Sequence, residues 1–133
     1  MNDRPSVWHR RPIALLVGYS VLGLVVTHLP PFWRNEPLED QGFAIGFDKV
    51  VHFAGFGALA LLAMNVLCRW MPTTWALVAT VVFCGVAGVI DEVTQPPFGR
   101  TADLHDWIAD MLGVITALAI RQVVTVVRSE RKA

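Results

Sequence analysis

Four apolar stretches, each close to the thickness of a bilayer, decide what this chain can become. They run over residues 12–29, 50–67, 75–90 and 107–127, and are roughly 16–21 residues long. A helix needs ~20 apolar residues to cross the ~30 Å hydrocarbon core, so each stretch predicts a transmembrane helix. Proline or glycine punctuates the connections, at Pro30-Pro31, Pro72, Pro96-Pro97 and Gly99. No alternation with a period of two is present, which argues against a β-barrel; helices satisfy their own backbone polar groups in lipid. The expected fold is an all-α membrane protein, a four-helix transmembrane bundle forming one domain over residues 1–133.

Composition argues against a soluble globule. The chain is 54% hydrophobic and 17% charged, with a mean hydropathy of +0.50. Soluble domains carry about 25% charged residues, and a chain this small buries too little surface to hide such an apolar excess. Cys68 and Cys84 lie in or beside apolar stretches without a framework spacing, and read as small buried hydrophobes. Arg10 and Arg11 precede the first stretch as they would in a signal peptide. That run is long for such a segment, and Thr27-His28-Leu29-Pro30-Pro31 offers no small-x-small cleavage site, so a retained helix is expected.

Orientation follows from the cations. With four crossings, Arg4, Arg10, Arg11, Arg69, Arg121, Arg128, Arg131 and Lys132 share one side, against Arg34, Lys49 and Arg100 on the other. The positive-inside bias predicts both termini in the cytoplasm. The acids sort oppositely: Glu36, Glu39, Asp40, Asp48, Asp91, Glu92, Asp103, Asp106 and Asp110 fall on the outer side.

Three polar clusters are therefore expected to meet at the outer ends of the second, third and fourth helices. Asp48, Lys49 and His52 open the second; Asp91, Glu92 and Gln95 close the third; Arg100, Asp103, Asp106 and Asp110 lead into the fourth. Asp48 and His52 share a helical face, as do Asp103, Asp106 and Asp110 at i, i+3 and i+7. Several have plain structural readings. Asp48 suits an N-cap, Asp103 with Asp106 resembles a capping box, and Lys49 suits an interfacial anchor. An Asp48–His52 pair is a further structural reading. Carboxylates at a helix C-terminus oppose the helix dipole, so Asp91 and Glu92 call for a partner such as Arg100 or a bound cation. His52 and Asp110 lie about a turn inside their helices, where ionisable groups are costly and face the bundle or a wet cavity. The stripe Ala109, Gly113, Ala117 and the glycines Gly55, Gly57, Gly85 and Gly88 suit close helix packing. His28 reads as structural or incidental, and His105 could face solvent or the cluster. Trp8, Trp33, Trp70, Trp75 and Trp107 near the span ends suit an aromatic belt.

The order Asp48-Lys49, His52-Phe53, Phe56, Leu59-Ala60, then Asp91-Glu92 and Gln95, Arg100, Asp103, Asp106, Asp110 and Gly113 resembles the VanZ-like family over roughly 46–120. One departure is Asp110, where the family commonly has Asn. The resemblance implies a small multi-pass protein of the bacterial plasma membrane, in a family associated with resistance to teicoplanin, a glycopeptide acting on cell-wall precursors. It implies no settled reaction, catalytic residues or cofactor.

The leading expectation is a non-enzymatic membrane protein acting at the outer face, in cell-envelope function or glycopeptide resistance, with the polar cluster as its ligand site. Its partners would be the bilayer and a cell-envelope precursor or glycopeptide. No nucleic-acid partner is expected, and oligomerisation is left open. The alternative is a membrane-embedded hydrolase or transferase acting on a lipid-linked phosphate or sugar, with His52 as base or nucleophile oriented by Asp48 and Arg100 clamping a phosphate. His52, Asp48, Glu92 and Asp106 offer nitrogen and oxygen donors, but no dedicated metal spacing exists and no metal is assigned. Acids in a membrane cavity also suit a proton or cation path, although four helices are few and no inverted repeat is visible.

Overall fold

The computed structural model describes residues 7–29, 46–99 and 101–131. Residues 30–45 with Arg34, Glu36, Glu39 and Asp40, the side chains of Arg10, Trp8 and Trp33, and Arg4, Arg100 and Lys132 lie outside the described residues. Among the described residues there are four α-helices and no strand: α1 (Val7–His28), α2 (Phe47–Leu67), α3 (Thr73–Thr94) and α4 (Leu104–Glu130). All four are long and apolar enough to span a membrane.

Each helix extends past the apolar run that predicted it. The second starts near 47 rather than 50, the third runs 73–94 rather than 75–90, and the fourth 104–130 rather than 107–127. The extensions at the start of α2, the end of α3 and the start of α4 are polar turns whose side chains Lys49, Asp91, Thr94 and Asp106 find partners on neighbouring helices. Where winding stops, a local cause is visible. After α2 the chain turns at Cys68, whose N–H bonds to Met64 O at 3.0 Å, and Pro72 then serves as N-cap of α3. Beyond α3, Pro96–Phe98 forms a single 3-10 turn ended by Gly99 at φ 77. Only glycine adopts that left-handed conformation without steric cost.

The helices alternate in direction, so the starts of α2 and α4 and the ends of α1 and α3 share one end of the bundle. The tightest pair is α2 with α4, and glycine sets their spacing. A Cβ built on Gly113 would overlap the backbone carbonyl of Phe53, and one on Gly57 would meet Gly113 O at 3.2 Å. Below this contact lies the core: Leu59, Ala60 and Met64 of α2, Ala76 and Cys84 of α3, and Val114 and Leu118 of α4. Both cysteines are free, and Cys84 packs as a small hydrophobe in this core.

Helix α1 is peripheral. None of its spanning residues is buried, and Leu15, Val17, Val21 and Leu22 are more than half exposed, a surface suited to lipid. It is tied to the others by polar contacts, such as Tyr19 OH donating to Gly55 O at 2.9 Å. Lipid tails are as apolar as leucine, so close packing and interhelical hydrogen bonds hold such a bundle more than the hydrophobic effect does.

The glycines on α2 and α4 are therefore expected to be structural. Gly113→Ala should destabilise the detergent-solubilised protein by about 1–3 kcal/mol, the usual range for overpacking. Gly18→Ala, with nothing within 4 Å of its new Cβ, should leave the unfolding midpoint unchanged. Equal midpoints for the two variants would refute the close approach of α2 and α4.

Candidate functional site

At the shared end of the bundle, two turns of α2, the last turn of α3 and two turns of α4 present their polar side chains to one another. The outer tier is ionic. Lys49 Nζ donates to Asp103 Oδ2 at 3.1 Å and to Asp106 Oδ1 at 2.8 Å. Lys49 is thus an interhelical bridge, because two carboxylates at the start of the facing helix stand within reach of its long, flexible stem. Asp103 caps α4, accepting the His105 N–H at 2.8 Å and facing His105 Nδ1 at 2.9 Å. Partial burial raises the Asp103 carboxyl, but the hydrogen bonds from His105 and Lys49 outweigh it and hold the group at about 2. His105 itself is exposed and, among the described residues, meets the cluster through Asp103.

Beneath it lies a buried tier. His52 is 3% exposed and Asp110 fully buried, and His52 Nδ1 sits 2.9 Å from Asp110 Oδ1. Facing a carboxylate, Nδ1 is the donor, so in the neutral ring Nε2 carries the lone pair. Nε2 stands 3.9 Å from Asp106 Oδ2. The orienting partner of His52 is therefore Asp110 on α4, not Asp48 one turn away on its own helix. Nor does Asp48 cap α2: Gly46 holds that position without a side-chain hydrogen bond, and Asp48 lies within the first turn, where its charge suits the dipole. It remains near the site, with a carboxylate oxygen within 4.8 Å of ligand atoms of His52 and Asp106.

The two acids ending α3 resolve their conflict with the dipole through neighbours. Asp91 Oδ1 accepts from Thr27 Oγ1 of α1 at 2.6 Å, and Oδ2 accepts from Gln95 Nε2 at 3.1 Å. Glu92 Oε2 accepts the backbone N–H of Asp103 at 2.6 Å. In a capping box, that N–H is claimed by an acid three residues into the same helix. Here Asp106 is engaged by Lys49, and Glu92 on α3 supplies the acceptor instead. A carboxylate poorly placed at the end of its own helix is well placed at the start of the next.

Two contacts had only weak sequence signals. Thr27 carries no site signal in the sequence, where it only ends the first apolar stretch beside His28. His28 is also engaged: Nδ1 bonds to Leu24 O at 2.7 Å, Nε2 lies 2.9 Å from Thr94 Oγ1, and the ring packs edge-on against Phe98 at 5.0 Å. Trp107, expected in an aromatic belt, donates Nε1–H to Gly85 O at 3.1 Å and joins α4 to α3. Trp70 and Trp75 are exposed at the opposite end.

Among the described residues, four buried polar atoms have no hydrogen-bond partner: His52 Nε2, Glu92 Oε1, Gln95 Oε1 and Asp110 Oδ2. Leaving such an atom unsatisfied costs about 1–3 kcal/mol, more for a charged group. Beside them, between α1, α2 and α3, runs an apolar cavity of about 390 Å³ lined by residues such as Tyr19, Leu22, Phe56 and Phe83, with His52 and Asp91 also on its wall.

Asp103 yields a pH prediction. Its carboxyl is depressed on folding from the ordinary 3.8 to about 2. A depressed acid stabilises the fold above its ordinary value, and that contribution is lost as pH falls through about 2. Asp103→Asn should flatten the acid limb of thermal stability between 3.8 and about 2 relative to the parent protein. Superimposable acid limbs would show that the cap and Lys49 do not favour the ionised form.

The family model VanZ/LLP1 matches residues 5–125, a range that takes in α1 as well as the three helices bearing the motif residues. No curated protein and no solved structure matches the chain.

Proposed function

Because the chain belongs to the VanZ/LLP1 family and is a multi-pass membrane protein, we propose that it acts at the outer face of the bacterial plasma membrane, in cell-envelope function, with the polar cluster as its ligand site. The observation that carries this reading is the union of a buried, incompletely satisfied polar group set with an apolar cavity of about 390 Å³. Such a pocket suits an amphiphile: an apolar tail along α1, α2 and α3, and a polar head at His52 and Asp91. A cell-envelope precursor carried on a lipid has that character, and its handling would alter the response to teicoplanin-type glycopeptides. Outer-face placement rests on the cation distribution, with Arg69, Arg121, Arg128 and Arg131 at the end opposite the cluster.

A second reading, a hydrolase or transferase on a lipid-linked phosphate or sugar, is favoured by one feature. His52 has a carboxylate behind Nδ1 and a free Nε2, the arrangement of a general base. Turnover of a lipid pyrophosphate by the purified protein, abolished in His52→Ala, would establish it over the binding role.

Reporter tags at the two termini should both register as cytoplasmic; opposite sides would remove the outer-face assignment. In a strain lacking the chain, glycopeptide or envelope-stress sensitivity should change, and the parent gene should restore it. His52→Ala and Glu92→Gln, present in the membrane at parental abundance, should not. Full complementation by both variants would strip the cluster of its functional role.

A further inference from the structure

We infer that His52, Asp91 and Glu92 form a binding site for a first-row divalent cation of the zinc or manganese type, with Asp110 as the carboxylate that orients the histidine. One ligand atom from each of the three lies within 4.8 Å of the other two. Ligand atoms ~2.0–2.2 Å from a common ion stand ~3–4 Å apart, so small side-chain rotations complete the site. All three residues are more than nine-tenths buried, at 3%, 3% and 6% exposure.

Acid clusters are common on protein surfaces, and two further observations single this one out. The first is the histidine. Its Nδ1–H is pinned by Asp110 at 2.9 Å, leaving Nε2 as the nitrogen available to the triad, buried and without a hydrogen-bond partner. A ligating histidine typically donates its other N–H to a carboxylate, which fixes the ring and raises its basicity. Asp110 is placed for that role, and a Cβ on Gly88 would lie 3.1 Å from Asp110 Oδ2, so the carboxylate is closely walled.

The second observation is Glu92. Its Oε2 is held by the Asp103 N–H while Oε1 is buried and unpartnered. Glu92 Oε1 and the lone pair on His52 Nε2 are both acceptors, so neither can satisfy the other. A cation satisfies both. It also offsets the charge of Asp91, Glu92, Asp106 and Asp110, whose neighbours among the described basic side chains are Lys49, His52 and, 3.7 Å from Asp91, His28.

The donor set chooses the ion. One imidazole with carboxylates suits zinc or manganese; calcium prefers an all-oxygen shell, and no thiolate takes part. A second triad of Asp48, His52 and Asp106 shares the histidine. There Asp106 is already engaged by Lys49 at 2.8 Å, and an ammonium group beside a metal is unfavourable. The Asp91–Glu92 side is the better seat. No sequence spacing marks it, because its donors come from two antiparallel helices.

The inference deepens the ligand-site reading and rests on the same residues, but its test reads the ion alone. The full chain in detergent, stripped with a chelator, is titrated with Zn²⁺ and with Mn²⁺, and bound metal is counted after desalting. About one ion of one kind per chain is expected. His52→Ala should weaken binding at least ~100-fold, and Asp110→Asn should weaken it ~10–100-fold as an orienting partner. Glu92→Gln keeps an acceptor for the Asp103 N–H, and so the fold, yet should weaken binding by about tenfold or more. Circular dichroism and size-exclusion profiles matching the parent establish that each variant is folded. No uptake of either ion by the folded parent protein, or parental affinity in folded Glu92→Gln and His52→Ala, would overturn the site. A failed titration leaves the complementation result standing, and failed complementation leaves the titration standing.

Discussion

An ionisable side chain within a membrane-spanning helix has no water to turn to, so the protein itself must supply its partner. In this bundle the requirement falls on three helix ends at once. His52 is answered by Asp110, Asp106 by Lys49, Asp91 by Thr27 and Gln95, and Glu92 by the first free N–H of α4. Every one of these links but Asp91–Gln95 joins two different helices. The polar end consequently fixes the register of α1, α3 and α4 in a way that apolar packing, nearly indifferent between neighbouring lipid-like surfaces, could not.

The approach distance needed for those links is set elsewhere, by residues with almost no side chain. Gly113 lies one turn deeper than Asp110 on α4 and lets its helix come against the Phe53 carbonyl of α2. Gly88 leaves room on α3 for both the Trp107 ring and the Asp110 carboxylate. A larger residue at either glycine would lift Asp110 away from His52 and break the most buried pair in the cluster. Packing and chemistry are thus coupled within one turn of helix.

Helix number, class and the gathering of the polar segments were legible from hydropathy and small-residue spacing. Pairing within the cluster was not. Sequence proximity favoured Asp48 for His52 and a box of Asp103 with Asp106, because local spacing speaks only for residues on the same helix. The actual partners, Asp110 for His52 and Glu92 for the Asp103 N–H, depend on the rotation of each helix about its axis. A uniformly apolar helix carries little information about that rotation. The same ambiguity hid Trp107, whose position at a span end fits both a lipid interface and a contact with Gly85.

The bond from Glu92 to Asp103 closes the connection between α3 and α4 at its neck. Eleven residues of separation in sequence become a ring whose two ends cannot drift apart while that bond holds. The last turn of α3 and the first turn of α4 are therefore tied to each other directly, side chain to backbone. A shift of Glu92 would thus bear on the cap of α4, from which Asp106 and Asp110 follow within two turns. The tip of α4 is in this way hung from the end of α3 by a bond that belongs to neither helix's own ladder.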